Sequence, residues 1–263
     1  MLSFGMPTLI ELPAIERCAA LCRRLGLDFI ELNMNLPQYQ TPCMDRSLLP
    51  AVMREYGIYF TIHLDENLNI ADFNPYVASA YRRTVLETID LARHIGAPIL
   101  NMHLPRGVYF TLPDRRVHLF GEYREQYLSA VRSFRDKCTA CIGESGVRIL
   151  VENTNGFLPF QKEALDALLE SPAFGLTLDV GHYHAAGCAD EAFLNRCLAA
   201  LHHVHLHDAL PGSDHLALGT GSVDLTRYLS LAEQRSSRVV VETKTVSSLE
   251  RSVDWLRANR FIQ

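Results

Sequence analysis

Acids and histidines recur at the ends of strand-like apolar runs in this chain. Their side chains carry the chemistry of metal ligation and proton transfer. The runs are Phe29-Ile30-Glu31, Phe60-Thr61-Ile62-His63, Leu100-Asn101-Met102-His103, Ile149-Leu150-Val151-Glu152, Leu176-Thr177-Leu178-Asp179, Val204-His205 and Val239-Val240-Val241-Glu242. Glu152, Asp179, His205 and Glu242 close four successive runs. Carboxylates buried together without partners repel and are driven to protonate. A divalent cation removes that penalty, and mixed oxygen and nitrogen ligation suits Mn²⁺, Mg²⁺, Co²⁺ or Zn²⁺. The competing explanation is local ion pairing, for which Arg238 and Lys244 stand close to Glu242. Ion pairing accounts for one such acid more readily than for four groups in register.

Parallel strands closed into a barrel bring such residues together, because all their C-terminal ends point to one mouth. The apolar runs predict strands over 2–6, 28–33, 58–63, 98–103, 147–153, 174–179, 202–207 and 238–242. They are continuous rather than alternating, as strands covered on both faces are. Amphipathic stretches between them predict helices over 13–25, 46–56, 75–95, 121–142, 160–170, 191–200, 225–233 and 247–259. Gly26, Gly57 and Gly96 follow three of these helices, where a left-handed residue ends a helix. Eight strands alternating with eight helices indicate a single (β/α)8 TIM barrel over 1–263. An open doubly wound sheet would carry a glycine-rich phosphate turn after the first strand, and Gly5-Met6-Pro7-Thr8 is not one. Long loops after strands 3, 4 and 7 are expected to be functional.

The bulk numbers agree with one large domain: 263 residues, 48% hydrophobic, net charge −5. No Lys/Arg block marks a nucleic-acid footprint, which disfavours a nucleic-acid partner. No apolar run reaches the ~18 residues that a membrane span needs. The N-terminus lacks the pattern of a signal peptide, so a cytoplasmic location is expected. The seven cysteines are then reduced thiols, and Cys138-Thr139-Ala140-Cys141 has no second pair to complete a metal site.

Four motifs, in this order and spacing, resemble the xylose isomerase-like TIM-barrel superfamily. They are Glu152-Asn153-Thr154-Asn155-Gly156, Leu178-Asp179-Val180-Gly181-His182, Val204-His205-Leu206-His207-Asp208 and His215-Leu216-Ala217-Leu218-Gly219-Thr220-Gly221. The superfamily includes sugar isomerases and epimerases as well as endonuclease IV. The resemblance implies that Glu152, Asp179, His205 and Glu242 hold one divalent metal. It also implies that Glu152 and Glu242 are the catalytic acid/base pair, moving a proton next to a sugar carbonyl through a metal-stabilised enediolate. His182 would hydrogen-bond a substrate oxygen. The implied partner is a small sugar or sugar phosphate, and the assembly a homo-oligomer.

The endonuclease IV branch implies something different. There, histidines at the places of His63 and His103 bind an additional zinc that shares Glu152, and His182 and His215 belong to a third site; in the isomerase branch His63 and His103 instead line the pocket as substrate contacts or supports of the ligands. The aspartate of that third site is displaced here, with Ser213 at the expected position and Asp214 one residue later. Two alternatives to an isomerase therefore stand: a multinuclear zinc phosphodiesterase and a non-catalytic sugar-binding barrel. Weaker substrate contacts are Glu31, Asn33, Arg106 and Lys244, of which Glu31 could equally be a structural ion pair. His202 and His203 begin strand 7, far from the mouth, and are expected to be structural. His207 and Asp208 are expected to orient the following loop. Tyr109, Phe110 and Phe157 could cover the mouth.

Overall fold

The computed structural model describes residues 2–262. Eight parallel strands close into a barrel: β1 (Ser3–Pro7), β2 (Phe29–Asn33), β3 (Tyr59–His63), β4 (Ile99–His103), β5 (Arg148–Glu152), β6 (Phe174–Asp179), β7 (Leu201–Leu206) and β8 (Arg238–Val241). Neighbours pair in chain order, and β1 closes the ring on β8. The outer ring is formed by α1 (Ile15–Leu25), α2 (Leu48–Tyr56), α3 (Pro75–Ile95), α4 (Arg124–Ile142), α5 (Pro159–Leu169), α6 (Glu191–Cys197), α7 (Leu225–Gln234) and α8 (Val246–Ala258). All seven cysteines are free. No helix among the described residues is long and apolar enough to cross a membrane.

The sequence expectations hold for every barrel strand, with ends displaced by at most one residue. The expected helix over 121–142 is interrupted at Tyr123, leaving a separate turn of helix over Leu119–Glu122. The helix expected over 191–200 tightens into a 3₁₀ turn at Leu198–Ala200. Two loops hold antiparallel hairpins that periodicity did not signal. One pairs Tyr109–Thr111 with Arg116–His118, and the other pairs Asp208–Leu210 with Ser213–Leu216. Segments of three or four residues are too short for an alternation pattern to register.

Register decides what fills the lumen. Partners run Gly5↔Phe29, Phe29↔Tyr59, Glu31↔Thr61, His63↔Asn101, His103↔Glu152, Glu152↔Thr177, Asp179↔His205 and His205↔Val240. With a two-residue period, the inward set is stacked in tiers. The floor is aromatic: Phe29 and Tyr59 stack with centroids 5.0 Å apart, and Gly5 leaves the room, since a Cβ there would lie 2.4 Å from the Phe29 ring. Above it come Glu31, Thr61, Asn101, Thr177 and His203, all buried and polar. Barrels of this kind are ordinarily filled with bulky branched aliphatics. Here aliphatic side chains dominate the layer between strands and helices, and the lumen is polar from its middle to its mouth.

The loop after β7 is organised by one carboxylate. Asp208, 1% exposed, accepts from the backbone N–H groups of Ala209 (2.9 Å), Gly219 (3.0 Å), Gly221 (2.8 Å) and Val223 (3.1 Å). Gly221 is required for that approach, because a Cβ would lie 2.4 Å from the Asp208 carboxylate. This explains the Gly-Thr-Gly motif and bears out the expectation for Asp208. Replacing Asp208 by Ala strands four amide donors. The variant should unfold at lower urea, with a loss on the order of 3 kcal/mol, since bonds to charged groups are the strong ones.

Candidate metal centre at the barrel mouth

The upper tier of the lumen gathers Glu152, Asp179, His205 and Glu242, whose ligand atoms lie within 4.8 Å of one another. His205 Nδ1 is 3.2 Å from Glu152 Oε2 and 3.0 Å from Glu242 Oε2. None of these contacts is an aligned hydrogen bond. His205 Nδ1, Glu242 Oε2, His182 Nδ1 and His103 Nε2 are all buried without a hydrogen-bond partner. Buried polar atoms are rarely left so, and the unpartnered His205 Nδ1 and Glu242 Oε2, 3.0 Å apart beside Glu152 and Asp179, fit a shared cation. The donor set, three carboxylates and an imidazole, is suited to Mn²⁺, Mg²⁺, Co²⁺ or Zn²⁺.

Asp179 is fixed from behind. Asp179 caps the helix over Val180–Ala185, accepting the His182 N–H at 2.7 Å. Asn153 and Asp179 exchange hydrogen bonds, with Asp179 N–H donating to Asn153 Oδ1 (2.9 Å) and Asn153 Nδ2 to the Asp179 carbonyl (2.8 Å). His207 completes the clamp. Its Nδ1 accepts the His215 N–H at 2.7 Å, so Nε2 carries the proton and lies 3.0 Å from Asp179 Oδ1. The His207 ring occupies the place of a Cβ on Gly181, 1.9 Å from it, which is why the Asp-Val-Gly-His motif needs a glycine. His207 thus holds Asp179 as well as its loop. Sequence reading missed this, although His203, His205 and His207 alternate and must share one face.

Glu152 is the most heavily contacted acid. His63 Nε2 (3.4 Å) and His205 Nδ1 (3.2 Å) approach Oε2, and Asn101 Nδ2 donates to the same oxygen. His103 Nε2 (3.3 Å) and His182 Nδ1 (3.6 Å) approach Oε1. His182 also reaches Asp179 Oδ2 at 3.1 Å. Its Nε2 points to Asp214 Oδ2 at 3.8 Å, and His215 Nε2 meets Asp214 Oδ1 at 3.9 Å. His215, at φ 52°, turns its Nδ1 toward the Glu242 carbonyl at 3.4 Å. Asp214 therefore reaches both histidines even though its sequence position is shifted by one.

Four expected substrate contacts separate. Lys244 lies at the mouth with Nζ 2.9 Å from Glu242 Oε1. Asn33 Oδ1 accepts the N–H of Asn35 at the top of β2. Arg106 braces another loop: its Nη2 donates to the carbonyls of Asn155 (2.6 Å) and Gly156 (3.2 Å). Glu31 is no substrate contact. It lies a tier below the mouth, 2% exposed, against Thr61, His203 and His205. His203, expected to be merely structural, shares that buried network, whereas His202 faces outward onto Arg148. Of the aromatics, Phe157 is buried against Phe193. Tyr109 and Phe110 are exposed on the hairpin after β4.

The charges at the mouth are strongly coupled. Burial opposes ionisation of Glu152 and Glu242, but the facing His205 imidazole outweighs it and holds both well below the usual carboxylate range. Burial likewise opposes a charge on His63, yet Glu152, with Glu31 behind, lifts its pKa to about 9. His182 is lifted to about 9 against burial by Glu152 and Asp179. Both lie above the unfolded value of roughly 6.5. Such groups contribute stability that is fully present below pH ~6.5 and lost as pH rises through about 9. Chelator-treated protein should therefore lose a few kcal/mol of stability between pH 6.5 and 9.5 in urea titrations. A divalent ion should reverse the trend, because ligand histidines must shed their protons to bind it.

A model for the xylose isomerase-like TIM-barrel family matches residues 19–259. An uncharacterised protein of Methanocaldococcus jannaschii is 23% identical over 235 residues, covering 87% of this chain and 83% of the relative. Among solved structures, a D-tagatose 3-epimerase-like protein superposes with TM-score 0.79 at 20% identity, covering 99% of this chain and 97% of that one. The D-psicose 3-epimerase of Clostridium cellulolyticum H10, solved with D-tagatose, gives TM-score 0.75 at 14% identity and covers 99% of both chains. At these identities the structural likeness establishes the shared barrel. With the family match spanning almost its whole length, this chain belongs to the xylose isomerase-like TIM-barrel family.

Proposed function

We propose that the protein is a divalent-metal-dependent sugar isomerase or epimerase that moves a proton at a carbon beside a carbonyl. The observation that carries this reading is the convergence of buried, unpartnered ligand atoms from His205, Glu242 and His182 upon Glu152 and Asp179. Similarity to proteins described as D-tagatose and D-psicose 3-epimerases supports it. A divalent cation held by Glu152, Asp179, His205 and Glu242 would polarise the carbonyl and offset negative charge developing beside it. The remaining chemistry belongs to the chain. Glu152 and Glu242 are held ionised, so each can accept a proton from carbon and return it. Glu242 is the more open of the two, its side chain 13% exposed against 1% for Glu152. His182 stands at the rim to hydrogen-bond a substrate oxygen, and Lys244 is placed to meet an anionic group such as a phosphate.

With D-tagatose as the probe in D2O, the wild-type protein should incorporate deuterium. Glu152→Gln should reduce that incorporation by roughly 10²–10⁴-fold, the usual range for loss of general acid–base catalysis. Full exchange in the variant would remove Glu152 from this role.

One observation favours a second reading, a multinuclear zinc phosphodiesterase. His63 Nδ1 donates to the Leu64 carbonyl at 2.8 Å, so a neutral His63 turns its Nε2 lone pair toward Glu152. His103 Nε2 faces the other oxygen of the same carboxylate and has no partner. An imidazole oriented by a backbone carbonyl is the usual arrangement of a metal-ligating histidine. A second cation shared by His63, His103 and Glu152 would satisfy all three. Elemental analysis of the purified protein decides between the readings. One tightly bound ion per chain is expected for the isomerase. Two or three zinc ions with hydrolysis of bis(p-nitrophenyl) phosphate would establish the phosphodiesterase instead.

A further inference from the structure

The buried tier beneath the mouth contains a carboxylate that neither the sugar chemistry nor the ligand set uses. Glu31 Oε1 lies 2.8 Å from His205 Nε2. Its Oε2 accepts from Thr61 Oγ1 at 3.0 Å and lies 3.0 Å from His203 Nε2. Glu31 is 2% exposed, and His203, His205 and Thr61 are fully buried. The surrounding groups are an alcohol and two imidazoles, with no Lys or Arg among Glu31's contacts. His205 stands between two zones: its Nε2 faces Glu31 below, and its Nδ1 faces Glu152 and Glu242 above. The Nε2–Oε1 contact is short but oblique, and neither nitrogen of His205 has an aligned hydrogen-bond partner.

We propose that Glu31 is a positioning residue for His205. Its ionised carboxylate keeps the His205 proton on Nε2, facing Oε1, so that Nδ1 presents a lone pair to the mouth. A carboxylate behind a ligand imidazole fixes the tautomer and raises the basicity of the other nitrogen. Thr61 and His203 bind only the far oxygen of Glu31, which leaves Oε1 for His205. Oε1 therefore serves His205, and Glu31 extends the ligand set into the tier beneath the mouth. The buried negative charge of Glu31 also favours a cation above it. This inference rests on the metal-dependent reading of the mouth.

The test is a Co²⁺ titration of full-length, chelator-treated protein, followed by the visible absorption of the bound ion, beside far-ultraviolet circular dichroism. Glu31→Gln leaves one carbonyl for three donors and removes the charge. It should weaken Co²⁺ binding 10–100-fold, the usual effect of removing such a partner, while keeping native secondary structure. His203→Gln and Thr61→Val leave Oε1 on His205, and each should bind Co²⁺ within about threefold of wild type. A merely structural Glu31 predicts lowered melting temperatures for all three variants and unchanged Co²⁺ affinity in the folded protein, which would overturn the proposal. If wild type itself binds no Co²⁺, the metal-dependent reading falls and this inference with it; if only Glu31→Gln fails to weaken binding, this inference falls alone. Should Glu31→Gln not fold, the zinc-loaded wild-type protein decides by imidazole ¹H–¹⁵N spectra. A slowly exchanging Nε2 proton on His205 with zinc on Nδ1 is expected. Ligation through Nε2, or a second ion among Glu31, His203 and His205, would refute it.

Discussion

The buried carboxylates of Glu31, Glu152 and Asp179 share one barrel lumen with the partly buried Glu242, and the structure has to tolerate that concentration of negative charge. Among the described residues Lys244 is the one ammonium in contact with them, and it sits at the rim. Everything else facing them is imidazole, amide or hydroxyl. Isolated buried carboxylates would take up protons. Here the facing histidines hold Glu31, Glu152 and Glu242 ionised against the penalty of burial. Charge balance is therefore achieved either by imidazolium ions or by a divalent cation that displaces their protons.

The barrel architecture makes such a site possible. Strand ends alone place groups near the mouth, but closure and register turn them inward at matched height, His205 opposite Asp179 and Glu152 opposite His103. The groups behind the ligands then remove rotational freedom. Asn153 and His207 hold Asp179, and the four amide bonds of Asp208 hold the loop that carries His215. Precision at the mouth comes from a rigid tier beneath it and a cross-braced loop beside it. The glycines of the motifs serve the same end: Gly181 admits the His207 ring, and Gly221 admits the Asp208 carboxylate.

Much of this was legible in the chain. Strand-end acids and histidines marked the mouth because a β/α alternation leaves few other places where chemistry converges. The reading failed in two kinds of place. Short hairpins such as Tyr109–Thr111 carry too few residues for a period. Partners joined only by closure, such as Glu31 with His203 at a separation of 172 residues, leave no local trace. Arg106 shows the same limit, since its bonds to the carbonyls of the loop after β5 leave no trace in the sequence.

The sequence by itself determined the alternation of strands and helices, the barrel, and the identity of the groups at the mouth. Periodicity and residue chemistry are local properties that survive without coordinates. Only the tertiary structure decided which of those groups are ligand candidates, which are supports, and which are diverted. A strand's inward face shows what can point to the lumen, but the height of each residue depends on the register of neighbours far away in the chain. Glu31 illustrates the division. Its type and strand-end position marked it as a mouth residue, and closure of the barrel set it one tier lower, under His205.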